Sequence, residues 1–355
     1  MYTIFVINPG STSTKLALYE DEQLLWEEVS TYSSEQLASF PDVLSQYEMR
    51  MQDIQKVLEK HKVNLSSLSA VVSRGGAFKP LESGTYEISS QLVEDVKNGK
   101  VIAHHASNLG VLLAYRLSEG NAIPAYFADP VCVDEMIPEA RISGLPELER
   151  KSLLHALNIK AVARKVASQL QKDLSQLHFI VGHLGGGISI CAIQNGRIID
   201  VNNALEGGPF SPERAGSLPV SSLVRLCYSG KYTYQVLSKK IVGQGGLVAH
   251  LGTNDAREVE KRIETGDPKA ELIYRAMAYQ IAKEVGSMAT VLAGRIDGII
   301  FTGELARSKM LMEWIQERIS FLGPIFLYPG NFEMEALALA GLRVLRGEEK
   351  VKPYS

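Results

Sequence analysis

His178 to Val201 reads HFIVGHLGGGISICAIQNGRIIDV, and its punctuation decides the fold. A short apolar run (Phe179, Ile180, Val181) meets a glycine-rich turn, Gly182 to Gly187. An alternating stretch follows from Ile188 to Ile193, then Gln194-Asn195-Gly196, then Ile198, Ile199 and Val201. Apolar runs broken by glycines and an Asn-Gly predict three strands joined by two hairpins. Three consecutive glycines leave no Cβ between backbone and ligand, so the turn's N–H groups can lie against phosphate oxygens. A Gly-rich hairpin bending only for packing is the plain alternative.

A second copy decides against that alternative. Tyr2 to Glu28 repeats the order of apolar run, Gly turn, alternating strand, polar turn and apolar strand, with Asn8-Pro9-Gly10-Ser11 where Gly182-His183-Leu184-Gly185 stands. Two such units half a chain apart predict a duplication and two lobes facing one cleft.

The 355 residues suffice for two cores. Net charge is −3, with 45% hydrophobic and 22% charged residues and a pI near 6.2. No bulk attraction for nucleic acid or an anionic membrane follows, so neither is expected as a partner. No apolar run approaches the roughly 20 residues that span a bilayer. The N-terminus enters a strand at once without signal-peptide features, so a cytoplasmic location is expected. Cys132, Cys191 and Cys227 show no metal spacing and read as reduced thiols.

Outward from these units, Ser33 to Lys60 has the spacing of two amphipathic helices. Ser69 to Ser73 is a short strand ending in Arg74-Gly75-Gly76, a guanidinium placed to meet an anion. A helix over Val111–Leu117, opened by His104-His105-Ala106-Ser107-Asn108-Leu109-Gly110, leads to a strand Ala122–Phe127 and Asp129. Pro138 to Arg150 reads as the crossing between lobes, and His155 begins a helix. Arg214 sits on a Pro/Gly loop, and Asn254-Asp255 could cap the helix that follows. Ala270–Leu292 is helical, Gly298–Gly303 a strand, and Asn331–Leu345 a helix with Glu333 in its first turn. The tail from Gly347 is expected to fray. His61, His178 and His250 read as surface or packing residues.

Glycine turns, two arginines on Gly loops and acids and histidines at strand ends suit phosphoryl transfer, which needs alignment, a metal and positive groups. Gly-x-x-x-x-Gly-Lys-Ser/Thr is absent, as are the protein-kinase motifs and a dinucleotide Gly-x-Gly-x-x-Gly after the first strand.

Asn8-Pro9-Gly10-Ser11-Thr12-Ser13-Thr14-Lys15 with Gly182 to Gly187 resembles the two phosphate-loop signatures of the acetate and butyrate kinase family. Ser73-Arg74-Gly75-Gly76, His105 to Gly110, Asp129-Pro130-Val131, Pro212 to Gly216 and Thr253 to Arg257 extend the resemblance over nearly the whole chain. In these forms it is similar to the butyrate kinases of that family. The resemblance implies an α/β fold of two duplicated actin-like ATPase (ribonuclease H-like) lobes around a nucleotide cleft. Its lobes would be 1–135 with 332–355, and 136–331.

Residue by residue, the resemblance implies that Arg74, Asp129, His155 and Arg214 are catalytic. Nucleotide would be bound by Asn8, Ser11, Ser13, Lys15, His183, Gly185, Gly186, Gly187, Asp255, Arg257 and Gly303. Gly75, Gly76, His105 and Leu154 would line the substrate pocket. Mg²⁺ would sit at Asn8 and Glu333, with Glu335 as the alternative acid. ATP/ADP, a small carboxylate and its acyl phosphate are the implied ligands, and a homo-oligomer the implied assembly.

Elementary chemistry agrees. A carboxylate acceptor is already ionised at neutral pH and needs no general base. It needs relief from repulsion, since two like charges about 4 Å apart cost roughly 4 kcal/mol at an effective dielectric of about 20. Acetate kinases carry a longer Arg-Val-Val-His-Gly-Gly after the strand, and Phe before the histidine aligned with His155. Here Arg74 meets Gly75 directly and Leu154 precedes the histidine. That loss of bulk predicts a pocket for four- and five-carbon acids, one methylene discriminating about 10- to 200-fold. The alternatives are an acetate or propionate kinase, or a non-catalytic actin-like nucleotide switch.

Overall fold

A computed structural model describes residues 1–354, which form two compact units, 1–133 with 332–354, and Asp134–Asn331. The first holds a six-stranded sheet built from β1 (Thr3–Pro9), β2 (Ser13–Glu20), β3 (Gln23–Thr31), β4 (Ala70–Arg74), β5 (Thr85–Glu87) and β6 (Ala125–Ala128). Its order is β3-β2-β1-β4-β6-β5. Strands β1 to β3 form an antiparallel meander, while β4 and β6 run parallel to β1.

The second unit holds β7 (His178–Leu184), β8 (Ile188–Gln194), β9 (Arg197–Val201), β10 (Gly298–Gly303) and β11 (Ile325–Pro329). Their order is β11-β10-β7-β8-β9. Read from the meander outward, it repeats β3-β2-β1-β4-β6 strand for strand, as the duplicated sequence pattern predicts. Parallel strands buried on both faces need continuous apolar runs, and Ile180, Val181, Ile299, Ile300 and Phe301 have no exposed surface. The helix Pro268–Val291 packs on β7 and β8 through Tyr274, Met277, Ile281 and Val285. In the first unit, the helices Leu109–Glu119 and Glu333–Leu345 pack on β1 and β4.

Several expectations are corrected. Of two helices over Ser33–Lys60, only Tyr47–Lys60 is full length. Ser34–Ala38 spans five residues and buries none; Pro41 follows closely, and the residue before a proline is pushed out of the helical region. The strand expected from Ala122 begins at Ala125, because Ala122 adopts φ +54° in a turn. The tail holds as far as Tyr354, Ser355 lying outside the described residues: Lys352 bonds to Thr85 and Glu87 beside β5, and Tyr354 is buried against Phe78. Pro138–Arg141 is a short helix inside the second unit. Among the described residues, no helix is long and apolar enough to cross a membrane.

Candidate active site

In the first unit, three elements deliver one polar cluster. Asn8 is the penultimate residue of β1, Arg74 ends β4, and Glu333 opens the C-terminal helix. Asn8 Nδ2 donates to Glu333 Oε2 at 2.9 Å. Arg74 Nη1 lies 3.3 Å from the same oxygen and 3.5 Å from Asn8 Oδ1. A carboxylate at a helix N-terminus is favoured by the orphan N–H groups there. It is Glu333, buried at 6% exposure, that meets Asn8. Glu335 instead acts on Tyr19, whose phenol is pushed up to about 12 by burial, with Glu27 and Glu335 adding to the shift.

No group of three or more His, Cys, Asp or Glu side chains able to hold a metal exists among the described residues. A single carboxylate beside a carboxamide fits Mg²⁺, which is commonly held by one or two carboxylates plus substrate phosphates.

The loop after Asn8 carries Ser11 and Ser13, and Lys15 stands opposite Asn8 in register on β2. His105 caps the turn Ala106–Asn108. Its Nδ1 accepts from the Ser107 N–H at 3.1 Å, so Nε2 carries the proton and donates to Ser11 Oγ at 3.3 Å. Asp129 follows β6 with φ +38°, an uncommon region for a non-glycine residue. Its Oδ1 accepts from Ser83 Oγ at 2.6 Å and from the Gly84 N–H at 2.8 Å, so the carboxylate is fixed by the 83–84 turn. Neither Gly75 nor Gly76 leaves a void where its side chain would start. A Cβ at Gly75 would lie 2.7 Å from Pro130 and 2.8 Å from Phe127, and one at Gly76 would strike Asn108. Both glycines are therefore packed against their neighbours at the positions where a side chain would start.

In the second unit, His183 is the penultimate residue of β7 and stacks on His155 with ring centroids 4.0 Å apart. Its protonation follows from a chain of hydrogen bonds that assigns every rotor. Gly330 O only accepts, so the Thr302 hydroxyl donates to it at 3.2 Å. Thr302 Oγ1 therefore accepts from Asn158 Nδ2 at 3.0 Å, and the second proton of that amide goes to His183 Nδ1 at 2.9 Å. The imidazole proton of neutral His183 is thus on Nε2, the atom a Cβ at Gly185 would approach to 3.2 Å. His155 Nδ1 is 2.9 Å from Ser189 Oγ.

Around this pair, the glycine turn is pinned by Gly185 N–H to Gly187 O (3.1 Å) and by Ser211 Oγ to Gly186 O (2.5 Å). Arg214 lies where a Gly187 side chain would be, its Nη1 at 2.3 Å from that Cβ position. Among the described residues, its one side-chain hydrogen bond is to Ala204 O at 3.2 Å. No carboxylate among the described residues pairs with it. Burial pushes its pKa below the ordinary arginine value, with Glu213 partly opposing. A half-buried guanidinium so poorly satisfied, against a backbone without side chains, suits an anion.

Gly303 adopts φ +89°, and a Cβ there would meet Leu184 O at 2.2 Å, so only glycine lets β10 turn beside β7. A cavity of about 760 Å³ opens next to Gly185 and Gly186, lined also by Glu213, Asp255, Arg257, Glu304 and Ser308. Asp255 caps the helix Ala256–Glu264, and Arg257 binds its carboxylate at 2.7 and 3.0 Å, holding that carboxyl below its usual range.

The first unit thus brings together Asn8, Arg74 and Glu333, and separately Ser11 with His105. The second brings together His155, His183, the glycine turn and Arg214. Leu154 is buried next to His155, whereas Asp255 and Arg257 face each other at the cavity wall. Asn158, Ser211 and Arg50 escape the sequence motifs. Asn158 lies in the first turn of the helix Ala156–Gln169 that follows His155, where no motif singles it out.

The sequence model of the Acetokinase family matches residues 147–326. An acetate kinase from Porphyromonas gingivalis superposes with a TM-score of 0.80 at 20% identity, over 97% of this chain and 100% of that one. A propionate kinase from Francisella tularensis subsp. tularensis SCHU S4 gives 0.74 at 20% identity, covering 96% and 99%. An acetate kinase from Entamoeba histolytica gives 0.74 at 18%, covering 94% and 97%. At these identities the likeness establishes the shared fold.

Proposed function

Because the chain belongs to the acetokinase family, we propose that it is a short-chain carboxylate kinase moving a phosphoryl group between ATP and butyrate or a related four- or five-carbon acid. The observation that carries the phosphoryl-transfer reading is Arg214. Its part-buried guanidinium rests on Gly187 and lacks a carboxylate partner among the described residues. Such a cation is arranged for an anion supplied from outside.

The remaining residues divide the work as follows. His183 offers Nε2–H to phosphate oxygens because Asn158 occupies Nδ1. His155, stacked on it and tied to Ser189, adds a second donor. Arg74 and Arg214 offset the repulsion between the carboxylate and the migrating phosphoryl group, worth roughly 4 kcal/mol at about 4 Å and an effective dielectric of about 20. Asp129, locked by Ser83 and Gly84, acts as a fixed charge, and transfer is in line and direct, with no proton to remove from the acceptor. Glu333 and Asn8 would hold Mg²⁺, whose charge neutralises the phosphates. Ser11, Ser13 and Lys15 meet nucleotide phosphates, and Asp255, Arg257 and Gly303 the adenosine side. A homo-oligomer in the cytoplasm completes the proposal.

A second reading, an acetate or propionate kinase, is favoured by the packing of Gly75 and Gly76 against Phe127, Pro130 and Asn108. Hydroxamate formation with ATP, Mg²⁺ and hydroxylamine across straight and branched C2 to C6 acids separates the two. A maximum at butyrate, isobutyrate or valerate is expected; a maximum at acetate or propionate selects the second reading. Inactivity with every acid rejects both in favour of a nucleotide switch.

A further inference from the structure

Arg50 has no exposed surface and is the largest side chain so buried among the described residues. It rises from the helix Tyr47–Lys60 and reaches the inner side of the loop between β1 and β2. The two Nη1 protons are shared among Gly10 O and Ser13 O, each at 3.0 Å, and Thr14 Oγ1 at 2.9 Å. Nη2 donates to Ser11 O at 3.3 Å and to Gln46 Oε1 at 2.9 Å. Nε also reaches Gln46 Oε1, at 3.3 Å. The Tyr32 ring lies 4.7 Å from the guanidinium carbon, and the Tyr32 N–H takes Thr12 O at 2.9 Å.

Every carbonyl from Gly10 to Ser13 is therefore engaged by an Arg50 or Tyr32 donor. The N–H groups of Ser11 and Thr12 donate to nothing among the described residues, and both residues are exposed. No carboxylate among the described residues forms an ion pair with Arg50, so a full positive charge remains beneath the loop. A buried, unpaired charge is costly for the fold alone. Only a fork with five donors can hold so many acceptors at once, and a lysine ammonium has three on one point.

We propose that Arg50 is a positioning residue of the first phosphate loop. Its guanidinium holds the loop carbonyls inward, which presents the Ser11 and Thr12 N–H groups, backed by buried positive charge, to terminal phosphate oxygens of the nucleotide. The proposal rests on the phosphoryl-transfer reading above.

The test compares wild type with Arg50→Met, which keeps volume and loses charge, and Arg50→Lys, which keeps charge and loses the fork. In the folded fraction of Arg50→Met, KM for ATP rises and MgADP affinity falls on the order of tenfold or more, while KM for the carboxylate stays within about twofold. Arg50→Lys recovers part of the loss. A merely structural residue would lower the melting temperature and leave KM for ATP and MgADP affinity unchanged, and that result overturns the proposal. Hydrogen exchange on wild type decides independently of whether the variants fold. MgADP should slow exchange at Ser11 and Thr12, and unchanged rates overturn the proposal. A wild type that neither binds MgADP nor forms a hydroxamate overturns the phosphoryl-transfer reading itself, and the proposal with it.

Discussion

One carbonyl oxygen, Gly330 O, orients the imidazole of His183 through Thr302 and Asn158. The residue scale is where the motif and its support part company. His183 and His155 stand out in the sequence beside glycines and at a helix start. Asn158 does not, because its partner Thr302 is 144 positions away and only packing brings them together. Asn158→Asp replaces a donor by an acceptor of nearly the same shape. His183 must then place its proton on Nδ1 or become imidazolium, and turnover should fall steeply, by up to about four orders of magnitude as for the wrong-tautomer change in a Ser-His-Asp triad. Nitrogen-15 spectra of the imidazole, with the melting temperature as control, check this: an unchanged tautomer at wild-type turnover refutes it.

At the scale of elements, the two glycine-turn meanders are legible because alternation and glycine requirements are local properties of the chain. The C-terminal tail shows the opposite case. Its composition, Gly347-Glu348-Glu349-Lys350 and a short remainder, has no apolar periodicity and reads as frayed. Yet β5, only three residues long, lies at the edge of its sheet, and the tail is what covers it. Lys352 N donates to Thr85 O at 2.8 Å, and Glu349 Oε1 accepts from the Thr85 N–H at 2.7 Å. Tyr354 is 7% exposed and meets Phe78 edge-on at 6.4 Å. Tyr354→Ala should therefore cost about 3 kcal/mol, as for other buried aromatic truncations, measured by denaturant unfolding. A loss below about 0.5 kcal/mol would mean that the tail does not hold, as is usual for surface substitutions.

For the molecule as a whole, each unit carries its own core, and the repeated strand order follows from the repeated pattern. One region lies outside both descriptions. The helices Val220–Cys227 and Tyr234–Ile241 bury none of their residues, while Val220, Tyr228 and Tyr234 are 73%, 89% and 82% exposed. Clustered apolar surface of this kind marks interaction sites. If the homo-oligomer proposed above uses it, Val224→Asp with Tyr228→Asp should reduce the solution mass to that of one chain, read by light scattering during gel filtration. An unchanged oligomeric mass would exclude this surface as its interface. By itself the sequence determined the two sheets, the two glycine turns and most of the charged groups near them, since strand periodicity and glycine turns are written in adjacent residues. Only the tertiary structure decided that Asn8 meets Glu333 across 325 positions, that Arg50 grips the first loop, and that Asn158 orients His183. Hydrogen-bond partners of buried side chains are selected by packing distance, which residue order does not record.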